Sequence, residues 1–232
     1  MKEARINARG ALYDRIPVKT GLILKGVDLM RAIAEGLAEC AVSIGDGDIL
    51  FVSEKAVGAS QGRYFLLDEG DLRPRRLARL LSRFVTKSTS GIGLGMPETM
   101  ECALRECGTP RILFAAFVGA LGKLVGRRGD FYRVAGHRAR SIDGPTSGTI
   151  PPFNRAVSLA PEDPEGVARE LSGRFGCPAA VVDINDLGGN ILGAFPTGLD
   201  RELLVEILRD NPLGQGHEST PVGIIRPVSP PS

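Results

Sequence analysis

Short apolar runs in this chain are separated by polar joints rich in glycine and acidic residues. Residues 5–24 read as extended, with Pro17 ahead of an apolar stretch. Asp28 then precedes Leu29, Met30, Ile33, Ala34, Leu37, Ala38, Ala41 and Val42. That spacing predicts a helix whose first-turn amides Asp28 caps. Gly45, Asp46, Gly47 and Asp48 predict a turn, and residues 49–52 a buried strand. Residues 53–63 read as a polar, glycine-containing segment. Pro74 opens a second helix with Leu77, Leu80, Leu81, Phe84 and Val85 as its stripe. Pro97 and Glu98 start a third, ending near Gly108. The runs at 112–118 and 131–135 predict two strands.

The second part of the chain begins around Ser141. Residues 156–159 predict a strand. Asp163 followed by Pro164 is a helix start, with the acid at the cap and proline in the first helical position. Strands at 178–183 and 190–195, a helix at 200–208 and a last strand at 222–225 follow. The tail at 227–232 reads as disordered. Helices and strands mix without a strict βαβ rhythm, so the predicted class is α+β. No internal repeat is visible.

Charge changes this picture. The chain has 29 Lys+Arg and 27 Asp+Glu over 232 residues, a net of +2. Residues 1–140 hold 23 basic and 15 acidic side chains, a net of +8, and residues 141–232 hold 6 and 12, a net of −6. The whole chain is too nearly neutral for a general nucleic-acid binder. A 43% apolar and 24% charged composition is that of a globular protein with a sizeable core. No run of about 18 apolar residues predicts a membrane span. The first residues lack a signal-peptide apolar stretch, so a cytoplasmic location is expected. Cys40, Cys102, Cys107 and Cys177 match no zinc spacing and read as four reduced, buried thiols. With two histidines in the chain, any metal is expected to be oxygen-ligated, favouring Mg²⁺ or Mn²⁺.

Candidate chemistry gathers in three kinds of segment. Gly91, Gly93 and Gly95 form a glycine run ahead of the Pro97 helix start. It lacks the Walker A ending and the dinucleotide fingerprint, so it reads either as a connecting loop or as an anion site. Arg75, Arg76, Arg79, Arg83 and Lys87 form one basic cluster; Lys123, Arg127, Arg128, Arg133, Arg138 and Arg140 form another. Each is either a solvated face or a set of forks for a polyanionic small molecule. Asp143, Asp183 and Asp210 each sit on or beside a turn-rich loop. Together, in a histidine-poor chain, they point to an oxygen-ligated metal site.

These segments, in order, resemble the coenzyme F420-0:L-glutamate ligases, the γ-glutamyl ligases of deazaflavin coenzyme biosynthesis. The resemblance runs from about Ile16 to Arg226. It is carried by Gly21-Leu22-Ile23-Leu24-Lys25-Gly26-Val27-Asp28, by Gly47-Asp48-Ile49-Leu50 with Ser53-Glu54-Lys55 and Gln61-Gly62-Arg63, by the Asp143 loop, by Leu159-Ala160-Pro161-Glu162-Asp163-Pro164, by Asp183, and by the segment from Asp210 to Gln215. Ala59, Thr146 and Ile184 depart from the family's pattern, which marks a divergent branch.

The resemblance implies a two-lobed α+β subunit spanning 1–226, with mixed and antiparallel sheets, flanking helices and a split near 140, so that the second lobe is 141–226. It implies an intertwined homodimer that takes small molecules; from charge and hydropathy, neither nucleic acid nor membrane is expected as a partner. The implied activity uses GTP and divalent Mg²⁺ or Mn²⁺, with K⁺ as a further cation, to phosphorylate a substrate carboxylate. The amine of L-glutamate then attacks the acyl phosphate. By the same resemblance, Asp143 and Asp183 would share one metal and Asp210 would help hold a second. Gly21, Leu22, Ile23, Glu54, Lys55, Thr146, Asn211, Gly214 and Gln215 would line the nucleotide. Arg138 and Arg140 would meet the substrate anion, and no catalytic side chain is singled out. The alternative is a non-catalytic nucleotide- and metal-binding protein, or a ligase for another acidic acceptor, on the same scaffold.

Overall fold

The computed structural model describes residues 3–70, 72–85, 93–127, 129–146, 148–185, 188–214 and 219–228. It is α+β, with a six-stranded mixed sheet and a two-stranded antiparallel one. The chain divides into two compact units, Met1–Gly62 with Pro161–Ser232, and Arg63–Ala160. The middle of the chain is thus one unit, and its two ends together make the other. The expected split near 140 falls inside the second unit, because residues 141–160 return to pair with the strand just after Arg63.

The first unit holds β1 (Arg5–Ala8), β2 (Ala11–Val18), β3 (Ile49–Ser53), β6 (Ala179–Asn185), β7 (Gly188–Phe195) and β8 (Val222–Pro227). Their order is β1-β2-β8-β3-β6-β7. β3 and β6 run parallel, and the other pairings are antiparallel. Phe51, Ala180, Val182 and Ile225 pack with Leu204, Ile207 and Leu208 of α9 (Arg201–Leu208). Leu50, Val52, Val181 and Ile224, of opposite parity along their strands, are also buried. Burial of both faces explains why these strands read as unbroken apolar runs rather than alternating ones. α2 (Glu54–Ser60) packs on β3 and β6, and α8 (Pro164–Phe175) on β6 and β7.

Helix starts follow local chemistry. Asp28, Asp163 and Asp200 each accept a bond from the amide three residues on and cap α1 (Leu29–Glu39), α8 and α9. α1 stops short of Ala41 and Val42, because Ala41 turns into the left-handed region at φ 53°. The stretch after β3 is a helix rather than an irregular segment. Ser53 caps it, and Ala56, Val57, Gly58 and Ala59 are small enough to bury.

The second unit holds β4 (Tyr64–Leu66), β5 (Ala156–Ser158), α3 (Arg76–Leu81), α4 (Pro97–Glu106), α5 (Thr109–Leu124), α6 (Asp130–Ala135) and α7 (His137–Arg140). Two expected strands are helices here. Residues 112–118 lie in α5, and 131–135 make up most of α6. The uniformly apolar α5 sequence hid its period, since only Ile112, Ala115 and Gly122 are buried. α5 and α6 pack where glycine allows it: a Cβ at Gly119 would come within 3.0 Å of Phe131 Cβ. The expected second helix is also shorter, ending at Leu81 rather than running on to Val85. Cys40 is exposed, against the expectation of four buried thiols, and no cysteine forms a disulfide. Of the tail expected to be disordered from 227, Pro227 ends β8 opposite Tyr13 and the Val228 amide donates to Leu12 O at 2.9 Å, so sheet pairing holds them; residues 229–232 lie outside the described residues. No single helix among the described residues is long and apolar enough to cross a membrane.

Candidate functional site

One end of the six-stranded sheet collects most of the predicted binding residues of the first unit. Register defines it. Val222 pairs with both Val18 and Val52, and Ser53 pairs with Val182. The C-terminal ends of β2 and β3, the beginning of β8 and the Val182 level of β6 therefore lie side by side. Carboxyl ends of adjacent strands are a common place for ligands in open mixed sheets.

Three segments leave this end and are tied together by hydrogen bonds. The first is 19–23, which holds Gly21, Leu22 and Ile23. Gly21 and Leu22 are exposed and Ile23 is buried. The buried Thr20 donates its amide to Ser219 O at 3.0 Å and its hydroxyl to Gly21 O at 2.9 Å. The second is the entry to α2, where the Ser53 amide donates to Pro221 O at 2.8 Å. It sets Glu54 buried and Lys55 exposed. The third is the turn after α9. Asn211 adopts φ 53°, a conformation that asparagine tolerates. Its buried amide donates to Gly214 O at 3.0 Å, and Gly214 N–H donates to Asn211 O at 3.1 Å. The Thr220 hydroxyl closes the set by donating to Leu213 O at 2.6 Å. Gln215 lies outside the described residues.

Sequence reasoning missed Thr20 and Thr220. Thr20 stood next to the Gly21 segment, but no local signal marked Thr220, because its partner is set by the fold.

The three metal-assigned aspartates have different surroundings. Asp183 is half-buried on β6, opposite Asn190 of β7. It was expected to end its strand. The strand instead continues to Asn185, and Asp183 is the first β6 residue past the level paired with β3. It therefore stands at the sheet end just described.

Asp143 belongs to the second unit. Its backbone bridges Ser158 of β5, with bonds of 3.0 and 2.9 Å, and its side chain is half-buried. Asp210 is held by Arg15 of β2, whose side chain is only 1% exposed. Nη1 of Arg15 donates to one Asp210 oxygen, and Nη2 donates to the other at 3.2 Å. No three His, Cys, Asp or Glu side chains form a ready-made metal cluster among the described residues. Asp210 thus already has a buried guanidinium as its partner.

Thr146 and the arginines also lie in the second unit. Thr146 is exposed, and its hydroxyl bonds Gly144 O at 3.3 Å. Arg138 is exposed; Arg140 Nε donates to Tyr132 O at 3.3 Å. Arg75 of the first basic cluster and Arg127 and Arg133 of the second have structural partners, while Lys87 and Arg128 lie outside the described residues. Arg75 and Arg105 both hold the buried Glu101, and Arg127 and Arg133 hold the buried Asp130. Burial would raise the Glu101 carboxyl, but the bonds from Arg75 and Arg105 more than offset it and hold the group below the ordinary carboxylate range. In the glycine run, residues 91 and 92 lie outside the described residues. Gly93 to Gly95 form a short turn, where Leu94 N–H donates to the Tyr132 hydroxyl at 3.1 Å.

Comparison with known families decides the relationship. The family of F420-0:gamma-glutamyl ligases matches residues 17–191. The chain belongs to that family. No curated protein matches the chain. The matched span covers the sheet-end segments 19–23 and 53–55, Asp143 and Asp183. The 210–215 segment falls beyond it. Membership of the F420-0:gamma-glutamyl ligase family implies γ-glutamyl ligase chemistry in coenzyme F420 biosynthesis.

Proposed function

We propose that the protein is a GTP- and divalent-metal-dependent amide ligase that joins L-glutamate to the carboxylate of a deazaflavin coenzyme precursor through an acyl phosphate. The observation that carries this reading is the sheet end. It brings 19–23, 53–55 and 211–214 together beside Asp183, although these segments are far apart in the chain. The exposed residues Gly21 and Leu22 and the exposed Lys55 suit a phosphorylated nucleotide, since amides and ammonium groups favour anions.

A carboxylate resists attack by an amine because oxide is a poor leaving group. Transfer of the γ-phosphoryl group of GTP to the carboxylate makes an acyl phosphate and GDP. Attack by the glutamate nitrogen then forms the C–N bond and expels phosphate, and the nitrogen releases a proton. A divalent cation supplies charge neutralisation on the phosphoryl oxygens during such transfers. Asp183 fits that ion, being a half-buried oxygen donor at the sheet end. Asp143 suits the same class of ion in the second unit. Asp210 does not fit as it stands, because Arg15 already engages both of its oxygens. Arg138 and Arg140, exposed on α7, are proposed to meet the acidic acceptor.

The outer face of α5 carries Phe114, Phe117, Leu121 and Leu124, all exposed. An apolar surface of this kind supports self-association, so the protein is proposed to be a homodimer.

The test is incubation with GTP, Mn²⁺, L-glutamate and the deazaflavin precursor. The expected result is GDP release and a product heavier by one glutamyl unit. Asp183→Asn is expected to abolish turnover while the far-UV circular dichroism stays that of wild type. Absence of GDP release with any acidic acceptor would overturn the ligase reading. Thermal stabilisation by GTP without turnover would assign the chain to the non-catalytic alternative instead.

A further inference from the structure

Arg15 is among the largest fully buried side chains of the protein, and it lies in the middle of a strand. A guanidinium in that position needs a counter-charge and partners for its donors. Its two terminal nitrogens find them across the first unit, while Nε is buried without a hydrogen-bond partner among the described residues. Nη1 donates to Ile207 O at 3.1 Å, at the C-terminal end of α9, where carbonyls lack helical partners. Nη2 reaches Glu3 O ahead of β1, and the Arg15 backbone amide donates to Ala4 O at 2.7 Å. Asp210 supplies the charge, in a two-toothed pairing of the kind that fixes orientation.

Asp210 is also the residue immediately before Asn211. Whatever fixes it fixes the entry to the 211–214 turn. That turn is closed by the Asn211 and Gly214 bonds and joined to the sheet end through Leu213 and Thr220. A cation bound at Asp210 would lie beside the guanidinium charge, and the two would repel.

We propose that Asp210 is a positioning residue and not a cation ligand. The Arg15–Asp210 pair anchors the 211–214 turn against the sheet, and it acts on nucleotide affinity through that turn. The nucleotide half of this proposal rests on the ligase reading above. The counter-ion half does not.

The experiment compares wild type, Asp210→Asn, the double variant Arg15→Met with Asp210→Leu, and Asp183→Asn. Mn²⁺ binding is followed by electron paramagnetic resonance, GTP binding by calorimetry, and stability by thermal denaturation. Asp210→Asn is expected to lower Tm, because it strands a buried charge. The double variant is expected to regain most of that loss, since it removes the buried guanidinium together with its half-exposed counter-charge. Mn²⁺ affinity in the double variant should stay within about two-fold of wild type, while GTP affinity falls about ten-fold, the equivalent of one lost charge-assisted bond. Asp183→Asn should lose Mn²⁺ affinity and serves as the reference for a true ligand.

A folded double variant with Mn²⁺ binding reduced as in Asp183→Asn would overturn the proposal, and so would unchanged GTP affinity. If wild type binds neither Mn²⁺ nor GTP, the ligase reading fails, and Tm then decides the counter-ion half alone. Loss in Asp210→Asn with recovery in the double variant supports it; no loss overturns it.

Discussion

Two glycines in two helices should respond to the same substitution with opposite signs. Gly36 is buried in α1, and a Cβ built there would stand 2.5 Å from Lys19 O and 3.0 Å from Thr20 Cγ2. Carbon–oxygen contacts ordinarily begin near about 3.3 Å, so the strand exit would have to retreat by about 0.8 Å. That exit is held by the Thr20–Ser219 bond at the sheet end. Gly173 lies in α8, is exposed, and a Cβ there meets nothing within 4 Å. Alanine in a helix interior is favoured over glycine by about 1 kcal/mol. Gly173→Ala should gain up to that amount. Gly36→Ala gains the same term but adds overpacking of about 1–3 kcal/mol against backbone that cannot swing aside, for a net loss of about 1 kcal/mol. In a protein of this size each change moves Tm by about 2–4 °C, upward for Gly173→Ala and downward for Gly36→Ala. Calorimetric scans of both variants under one buffer measure this directly. A rise in Tm for Gly36→Ala would refute the argument that the α1 contact with segment 19–20 leaves no room for a methyl group.

Acid should destabilise the protein through its buried carboxylates. Burial raises the Asp48 carboxyl, but Arg226 and the Gly45 amide more than offset this and hold it below the ordinary range; Glu101 behaves alike under Arg75 and Arg105. Because these values are depressed only in the folded state, their stabilisation is present above the unfolded carboxylate value of about 4 and is lost as pH falls through the lower folded value. Tm measured through that window should fall, and Asp48→Asn should flatten the fall; an unchanged slope in the variant would contradict it. A thiol reagent should label exposed Cys40 first. Cys102, whose thiol burial pushes up to about 12, and Cys177 should label only on unfolding, and early labelling of either would show the core packing to be wrong. Phe117→Glu, on the exposed face of α5, should convert a dimer to a monomer by light scattering; equal masses for variant and wild type would remove that face from the interface.

Much of the local structure was legible in the residues. Asp28 and Asp163 announced their helices because a cap needs only a side chain and an amide three residues away. The apolar runs at 49–52 and 178–183 were strands, buried on both faces as their composition required. The run at 112–118 misled, because a helix built of alanine, glycine and large apolar residues shows no clear period. The family relation was legible from the order of weak motifs, and the 17–191 match confirms it.

Within the site, the sequence by itself determined which residue types were available: a glycine-led segment at 21, a lysine after β3 and three aspartates. It also determined that the charge is unevenly distributed. Only the tertiary structure decided how. The boundary is not at 140. Residues 63–160 hold 16 basic and 8 acidic side chains, and the rest of the chain holds 13 and 19, so the surplus of positive charge lies in one unit. The structure likewise decided that Asp210 faces an arginine 195 residues away rather than open space. Capping and apolar runs are local and can be read along the chain, whereas a carboxylate's role depends on the charge beside it, and that neighbour is supplied by strand register and helix packing.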